Sequence, residues 1–325
     1  MRRSFTRRDL LCAGASAGAL AGLGLAGCAS TPAGSGPGRA DVAQSNARAV
    51  ATLLNERLLL VSGLGGNLVA LRGDEGLLLV DTGAPGTAKA LKAELQNFAP
   101  GAAVTTVINT HWHAANTGNN AVFAEGGARL ISHAKAAQRM AVPQFVPWED
   151  RYMEAREKAA VPRDVFYNGQ RELTFGGERI EYGYLQQPHT DGDLYVWFKD
   201  SNVVLAGDAV APESDPQICW FEGGWVGGRA DSQLKLLSLG DESARIIAST
   251  GGVLSRAEVK TENEAITAMF DRVSDAMRKG FTTEDMQRGR LLDGLARTWS
   301  DPDKALYDAH KSMWAHYNKL SHTIV

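Results

Sequence analysis

Cysteine is scarce in this chain, which has only three among its 325 residues, at positions 12, 28 and 219. Two of the three lie near the start of the chain, in a segment that we expect to be removed or modified. Cys219 is then the single cysteine left to the folded protein, and an internal disulfide is excluded. The composition is otherwise that of an ordinary globular protein, with 44% hydrophobic and 22% charged residues.

An excess of basic residues is also missing. Lys and Arg number 34 against 37 Asp and Glu, and the net charge of −3 gives no basic surface for nucleic acid. The apolar run from about Leu11 to Gly27 is short and weakly apolar for a transmembrane helix. These absences argue against a nucleic-acid partner and against a membrane-spanning segment at the start of the chain.

The start of the chain has the character of a targeting segment rather than of a domain. Thr6–Leu11 resembles a twin-arginine export signal, and Leu25–Cys28 resembles a bacterial lipobox. These resemblances imply that residues 1–27 form a signal peptide and that Cys28 is lipidated. Residues 28–50, which include a run rich in Ser, Pro and Gly, are typical of a flexible tether. We therefore expect an exported protein in the bacterial periplasm, anchored by Cys28 to the outer membrane.

Short apolar runs separated by Gly-containing turns occupy most of the chain from about residue 56 onwards, and such runs predict β-strands. They form two β-rich halves, each followed by helix, which predicts two sheets packed face to face with helices outside. From Ser255 the pattern becomes helical, beginning with a capping box. We therefore predict an α/β domain at 51–256 and a C-terminal helical extension at 257–325 that packs on it.

Several local predictions bear on where the loops lie. The pattern predicts helices over Thr87–Phe98 and Asn116–Glu125. Residues 143–162 are expected to be irregular or to form a short helix that overhangs a site. Residues 220–228 are expected to form a loop, with a helix beginning at about Asp231.

Two histidines follow a predicted strand. The β-branched run Val104–Ile108 leads into a polar, Gly-containing stretch that holds His111 and His113. In an extended chain, residues i and i+2 point the same way, so both imidazoles can face one point. An isolated pair of this kind is more often two surface histidines, and the interpretation as metal ligands therefore depends on further donors.

The further donors stand at other predicted strand ends. His189 lies in a turn between two strands, and Asp208 lies just past another strand. Three imidazoles and one carboxylate form a reasonable ligand set for zinc.

Four blocks in this order carry a family resemblance: Leu79–Gly83, Asn109–His113, His189–Asp193 and Gly207–Asp208. Over about residues 56–256 the chain resembles the metallo-β-lactamase-fold hydrolases, and its C-terminal part is similar to an exported subgroup of that family. The resemblance implies a four-layer αβ/βα sandwich with additional C-terminal helices. It also implies that His111, His113 and His189 hold a first metal ion.

The chain departs from the family pattern where a second metal ion would bind. The family's HxHxDH motif would place an aspartate and a histidine where this chain has Ala115 and Asn116, and a later histidine where it has Thr250. Alanine has no ligand atom, and amides and hydroxyls are poor ligands for transition metals. Of the second set only Asp208 remains, so we expect one Zn²⁺ per chain, with iron as an alternative.

The expected roles of the remaining acidic residues follow from this incomplete set. A His₃ site with a free fourth position can lower the pKa of a bound water to about 7. Asp208 is expected either to orient or deprotonate that water, as a catalytic residue, or to close the site as a fourth ligand. Asp81, Asp191 and Asp193 are expected to support the ligands or to stabilise turns rather than to bind metal.

Three functions are compatible with these residues. The first is a mononuclear zinc hydrolase that acts on an ester, amide or lactam-like bond. The second is a non-catalytic envelope lipoprotein that binds metal or ligand. The third is a mononuclear-iron enzyme resembling sulfur dioxygenases, with His111, His189 and Asp208 as its ligands. The sequence identifies neither the small-molecule substrate nor the oligomeric state.

Overall fold

The computed structural model describes residues 48–146 and 150–318. The expected signal peptide, Cys28, most of the tether and the end of the last predicted helix lie outside these described residues. The described residues form fifteen strands: β1 (Val50–Leu53), β2 (Leu58–Ser62), β3 (Leu68–Gly73), β4 (Gly76–Val80), β5 (Val104–Ile108), β6 (Arg129–His133), β7 (Gln144–Val146), β8 (Arg151–Met153), β9 (Asp164–Phe166), β10 (Gln170–Phe175), β11 (Glu178–Tyr184), β12 (Leu194–Phe198), β13 (Val203–Gly207), β14 (Arg245–Ala248) and β15 (Val253–Leu254).

Eight α-helices accompany these strands in the described part of the chain. They are α1 (Ala88–Phe98), α2 (Ala114–Thr117), α3 (Asn120–Glu125), α4 (Ala134–Ala141), α5 (Val226–Leu237), α6 (Arg256–Arg278), α7 (Thr283–Arg288) and α8 (Pro302–Tyr317). Short 3₁₀ turns lie at Lys158–Ala160 and Trp220–Glu222. No helix among the described residues is both long enough and apolar enough to cross a membrane.

The strands form two large sheets and one hairpin. The first sheet has the order β1-β2-β3-β4-β5-β6-β9, and the second has the order β10-β11-β12-β13-β14-β15. In the first sheet β1 to β4 are antiparallel, whereas β4, β5, β6 and β9 are parallel to one another. In the second sheet only the pair β13 and β14 is parallel.

Alternation along the strands places one set of side chains between the sheets and the other set beneath helices. In β2, Leu58 and Leu60 belong to the core between the sheets, whereas Leu59 and Val61 face the helical side. This is the two-residue period of a strand that is buried on both faces. The central core joins residues from both sheets, such as Leu78 from the first and Val196 from the second.

Helices cover the outer face of each sheet. Leu91 and Leu95 of α1 pack on the first sheet, and Leu236 of α5 and Val259 of α6 pack on the second. The layers are therefore helix, sheet, sheet and helix, which confirms the predicted four-layer αβ/βα sandwich. The predicted capping box is present at Ser255, whose side chain accepts from the backbone N–H of Glu258 at the start of α6.

The C-terminal helices share a core with α5. Residues of α6, α7 and α8 pack together with Val226 and Ala230 of α5 and with Ile218. The segment from α6 onwards is thus attached to the same layer of helices that covers the second sheet. The position of α5 matters for the site, because the loop before it holds residues that contact the histidines.

Three local predictions were right only in part. Residues 143–162 contain the hairpin of β7 and β8 besides a short 3₁₀ turn, the predicted helix over Asn116–Glu125 is present but is interrupted between α2 and α3, and α5 begins at Val226 rather than at about Asp231. The start of α5 was predicted too late because it contains Gly227 and Gly228, and glycine is a poor helix former. Both glycines are required, because a Cβ would meet the Trp225 ring at 2.4 Å at one and the carbonyl of Gln186 at 2.2 Å at the other.

Candidate metal centre

Segments from both sheets meet at one end of the sandwich. Residues 109–113 follow β5, residues 185–193 join β11 to β12, and Asp208 follows β13. The backbone N–H of Leu194 donates to the carbonyl of Thr110 over 2.7 Å, which ties the first segment to the second sheet. The fold therefore brings together residues that are far apart in sequence but that all stand at strand ends.

The imidazoles of His111, His113 and His189 form a cluster, here called the His cluster. Their rings stand nearly perpendicular to one another, with centroids 4.7–5.0 Å apart and interplanar angles of 83–85°. One nitrogen from each ring lies within 4.8 Å of the other two. The closest pair is Nδ1 of His113 and Nε2 of His189, 2.9 Å apart. Nε2 of His111 is buried and makes no hydrogen bond.

The nitrogens that face away from the centre have partners that fix their protonation. Nδ1 of His189 lies 2.7 Å from the carbonyl oxygen of Gln217, and Nε2 of His113 lies 2.8 Å from Oε2 of Glu222. A carbonyl oxygen and a carboxylate accept hydrogen bonds, so both of these nitrogens carry hydrogen. Such outer partners set which nitrogen of each ring is free to bind a metal ion.

The resulting arrangement of lone pairs fits a cation. With their outer nitrogens protonated, neutral His113 and His189 direct lone pairs at each other across 2.9 Å, and this contact is repulsive unless a proton or a metal ion lies between them. Nε2 of His111, which makes no hydrogen bond and lies 3.1 Å from Oδ2 of Asp208, adds a third nitrogen at the same place. Three neutral imidazoles are a donor set that zinc accepts. The residues present therefore fit a zinc ion.

The electrostatic surroundings keep two of the three imidazoles neutral. Burial lowers the pKa of His189 to about 4 and lowers the pKa of His111 well below its usual value. Burial also opposes charge on His113, but the carboxylates of Glu222 and Asp208 outweigh it and raise its pKa. His113 is consequently the one member of the cluster that binds a proton near neutral pH when no metal ion is present.

Asp208 directs its carboxylate at the cluster. Its Oδ2 lies 3.1 Å from Nε2 of His111 and 3.7 Å from Nε2 of His189. Burial favours the neutral acid, but the neighbouring imidazoles and Arg229 outweigh it and lower the pKa of Asp208. The side chains of His113 and Asp208 are 26% and 22% exposed, whereas those of His111 and His189 are 1% exposed. Solvent therefore reaches the centre from the side of His113 and Asp208.

Asp81 supports this loop from behind, as expected from the sequence. Its carboxylate accepts hydrogen bonds from the backbone N–H and the hydroxyl of Thr110, at 2.8 and 2.6 Å. The hydroxyl of Thr110 also lies 3.1 Å from Nδ1 of His111. Burial raises the pKa of Asp81 to about 7, against the hydrogen bonds, which favour its ionised form. Asp81 thus orients His111 through Thr110.

Asn116 is committed to hydrogen bonds with its neighbours. Its Nδ2 donates to Oδ2 of Asp81 at 2.9 Å and to the hydroxyl of Ser249 at 3.3 Å. Thr250 is exposed, and Ala115 is half-buried and offers no donor. None of the three positions where the family pattern would place second-metal ligands contributes a group to the His cluster.

Asp191 and the nearby Asp193 have different hydrogen-bond partners. Asp191 forms a buried bidentate pair with Arg139 at 2.7 and 2.9 Å, and its backbone N–H donates to the carbonyl of Glu222. Asp193 accepts hydrogen bonds from the backbone N–H groups of His189 and Thr190. Asp191 is thus linked to the loop that holds Glu222, and Asp193 holds the backbone of His189.

A scan against protein-family models matches residues 61–243, more than half of the chain, to the family described as the metallo-beta-lactamase superfamily. The chain belongs to this superfamily. Members of the superfamily are mostly hydrolases and usually bind metal, which agrees with the donor set of the His cluster. The sequence resemblance over residues 56–256 is thus confirmed at the level of the superfamily.

Individual relatives of this superfamily match only in part. The 2,4-dinitroanisole O-demethylase subunit alpha of Nocardioides sp. (strain JS1661) is 27% identical over 144 residues, which cover 44% of this chain and 40% of that subunit. The chain therefore matches less than half of this curated relative's length.

Solved structures share the fold at low sequence identity. The stereoselective inverting sec-alkylsulfatase Pisa1 from Pseudomonas sp. superposes with a TM-score of 0.62 at 14% identity, covering 83% of this chain and 50% of that chain. A metallo-beta-lactamase from Pontibacter korlensis superposes with a TM-score of 0.56 at 13% identity, covering 68% of this chain and 99% of that chain.

The sequence missed residues that contact the His cluster from the loop before α5. Glu222 bonds to both Trp112 and His113, and Gln217 contributes only its backbone carbonyl. A single acidic residue in the stretch Cys219–Gly224 was the available signal for Glu222, whereas a backbone carbonyl leaves none. His113, Cys219 and Glu222 also form a group of potential donors. The hydrogen on Nε2 of His113 is directed at Glu222 over 2.8 Å, so this nitrogen has no free lone pair for an ion.

The first prediction concerns pH. Metal binding requires neutral imidazoles. Between about pH 4, the pKa of His189, and pH 6.5, above which the raised pKa of His113 lies, only His113 must lose a proton. Zinc affinity, measured by competition with a chelator, should therefore fall about tenfold for each unit by which the pH is lowered in this window. A fall of a hundredfold or more per unit would contradict it, because several imidazoles would then be titrating.

The second prediction concerns Glu222. Glu222→Gln removes the charge that stabilises protonated His113 and weakens the hydrogen bond at its Nε2. Zinc affinity should fall by about 10–100-fold, and the midpoint of its pH dependence should move to lower pH, because burial then governs the pKa of His113. Glu178→Gln is the matched control: Glu178 is equally buried and paired with Arg57, but it begins β11 at the end away from His189. Equal affinities in both variants would show that Glu222 does not support His113.

Proposed function

We propose that this protein is a zinc-dependent hydrolase with one metal ion per chain, held by His111, His113 and His189. The observation that carries the proposal is the convergence of three imidazole nitrogens whose outer partners leave their lone pairs directed at one point. A zinc ion held by these residues would lower the pKa of a bound water to about 7 and would so supply hydroxide at neutral pH.

The residues of the chain supply the remaining requirements for hydrolysis. Asp208 is ionised and partly exposed, and its carboxylate lies beside the nitrogens that hold the metal ion. It is placed to accept a hydrogen bond from the attacking water and to take its proton as a general base. Glu222 keeps His113 in the tautomer whose Nδ1 would be free to bind the metal ion, and it holds that ring in place.

We propose a single metal ion because Asn116 forms hydrogen bonds where the family pattern would place a ligand for a second ion. In this proposal Ala115, Asn116 and Thr250 are degenerate second-metal positions, and the amide of Asn116 donates to Asp81 and to Ser249. The carboxylate of Asp208 is then not shared between two cations and is free to act on water.

Two alternatives rest on the position of Asp208. Since its Oδ2 approaches His111 most closely, the carboxylate can serve as a fourth ligand, and a closed four-ligand site is a structural or binding site rather than a catalytic one. His111, His189 and Asp208 also form a two-histidine, one-carboxylate set, which suits non-haem iron. Catalytic turnover by the purified protein would exclude a closed structural or binding site. A metal analysis that finds zinc without iron would exclude the iron site.

The substrate proposal is limited to a bond class. We propose an ester, amide or lactam-like bond in a small molecule. The named relatives act on a methyl aryl ether, on secondary alkyl sulfates and on β-lactams, so the same scaffold is compatible with several leaving groups. A screen therefore has to include aryl ethers and alkyl sulfates beside carboxylic esters and lactams.

The third prediction is kinetic. In such a screen the zinc-loaded protein should turn over at least one class, and His189→Ala should remove both zinc and activity. At saturating zinc, Asp208→Asn should still bind one zinc ion but lose kcat by about 10²–10⁴-fold, because it can no longer take a proton. His310→Gln is a matched control, because His310 bonds to Thr283 in the C-terminal helices and lies outside the His cluster. Wild-type activity in His189→Ala would contradict the proposal.

We also propose that the protein is an exported lipoprotein of the bacterial periplasm, held on the outer membrane by Cys28. The support is the twin-arginine-like stretch Thr6–Leu11 and the lipobox-like stretch Leu25–Cys28. Attachment through several acyl chains is stable, whereas a single chain binds membranes weakly. The absence of any possible disulfide is consistent with export in the folded state.

The fourth prediction tests this location in a bacterial host. Replacing both Arg7 and Arg8 by lysine should retain the precursor in the cytoplasm, because the twin-arginine pair is lost. Cys28→Ala should prevent incorporation of labelled palmitate and abolish processing at residue 28. Cys219→Ala is the control, because this cysteine lies in the folded domain and its loss should leave labelling unchanged. Palmitate labelling of the Cys28→Ala protein would contradict the proposed anchor.

A further inference from the structure

The segment that carries Asp208 is held by a buried group of polar side chains for which the reaction itself has no use. Residues 208–214 leave the end of β13 and run towards the C-terminal helices. Four side chains from outside the segment bond to its backbone. These clamp residues are Arg229 and Gln233 of α5, Glu262 of α6, and Arg297, which lies between α7 and α8.

Two clamp residues hold the start of the segment. Nη1 of Arg229 donates to the backbone carbonyl of Asp208 over 2.6 Å, and Nε2 of Gln233 donates to the carbonyl of Ala209 over 3.0 Å. The first bond is made to Asp208, whose carboxylate faces the His cluster, and the second is made to the next residue in the chain. They restrict the backbone from which the Asp208 side chain projects.

The other two clamp residues hold the middle and the end of the segment. The backbone N–H of Ala211 donates to Oε2 of Glu262 over 2.8 Å. Arg297 donates through Nη2 to the carbonyls of Ala211 and Ser214. Glu262 and Arg297 follow α5 in the chain, and through these bonds they hold residues 208–214, which precede α5.

Glu262 contacts the other three clamp residues. Its Oε1 accepts hydrogen bonds from Arg229 at 3.0 Å and from Gln233 at 3.1 Å, and it lies 3.6 Å from Nη1 of Arg297. The side chains of Arg229 and Glu262 are fully buried, and that of Arg297 is 4% exposed. Buried ion pairs contribute little net stability compared with apolar residues of similar size, because both charges lose their hydration. A role in stability alone therefore does not account for this group.

We propose that Arg229 and Glu262 are positioning residues, which set the distance between the Asp208 carboxylate and the His cluster. The C-terminal helix α6 is then part of the metal site, although it contributes no ligand. The inference rests on the proposed function only in taking the His cluster as a metal site. It requires no particular substrate and no turnover.

The test is a double-mutant cycle on metal binding. Zinc affinity and the visible absorption spectrum of the Co²⁺-loaded protein are measured for wild type, Glu262→Gln, Asp208→Asn and the double variant. Glu262→Gln should weaken zinc binding about tenfold, as the loss of an outer support does, and should change the Co²⁺ spectrum in the same direction as Asp208→Asn. In the Asp208→Asn background it should have no further effect, because both changes act through one carboxylate.

Glu178→Gln is again the matched control, because it removes a buried, arginine-paired carboxylate elsewhere in the fold. It should lower the melting temperature and leave zinc affinity and the Co²⁺ spectrum unchanged. Should Glu262→Gln fail to fold, Gln233→Leu removes the hydrogen bonds to Ala209 and to Glu262, keeps both charged residues Arg229 and Glu262, and carries the same prediction.

Wild-type zinc affinity and spectrum in the clamp variants would overturn the inference, and so would independent, additive losses in the double variant. Failure of the proposed function gives a different result. If the protein binds zinc and shows the coupled cycle but hydrolyses nothing, the positioning role of the clamp is supported and the hydrolase function is refuted. If the protein binds neither zinc nor Co²⁺, both proposals are refuted.

Discussion

The contact between Nδ1 of His113 and Nε2 of His189, 2.9 Å apart, is the constraint on which the rest of the centre depends. Both nitrogens are held as acceptors by partners on the opposite side of each ring, Glu222 for His113 and the carbonyl of Gln217 for His189. Such a pair is stable only around a cation. The two-sheet sandwich supplies the rigidity that keeps the rings together, because each histidine stands at the end of a strand whose apolar side chains are buried on both faces.

The same constraint explains why so many buried polar groups surround the site. Asp193 and Glu222 bind the backbone or side chain of a residue that presents an imidazole, and Asp81 binds Thr110, the residue before His111. Their common effect is to fix the orientation of the imidazole rings. The clamp around Glu262 extends this pattern to Asp208.

Much of the fold and part of the centre could be predicted from the sequence. Strand alternation and the capping box at Ser255 are local, so the four layers and the start of α6 followed from short patterns. His111, His113, His189 and Asp208 were identified because each follows a strand, and strand ends meet in this fold. Glu222 was missed because its partner His113 is 109 residues away, and Arg229 and Glu262 were missed because buried charges have no local pattern. The hairpin of β7 and β8 was also missed, since three-residue strands are too short to show a period.

The central claim is that one metal ion, held by the His cluster, is all that this chain binds at its site. The direct measurement is the metal content per chain, by elemental analysis, of the protein purified from a bacterial host. The account predicts about one zinc per chain, with iron below stoichiometry, and loss of that zinc in His189→Ala. Two metal ions per chain would contradict it, since Asn116 would then not have replaced the second ion. A metal-free protein that does not take up added zinc would contradict it as well.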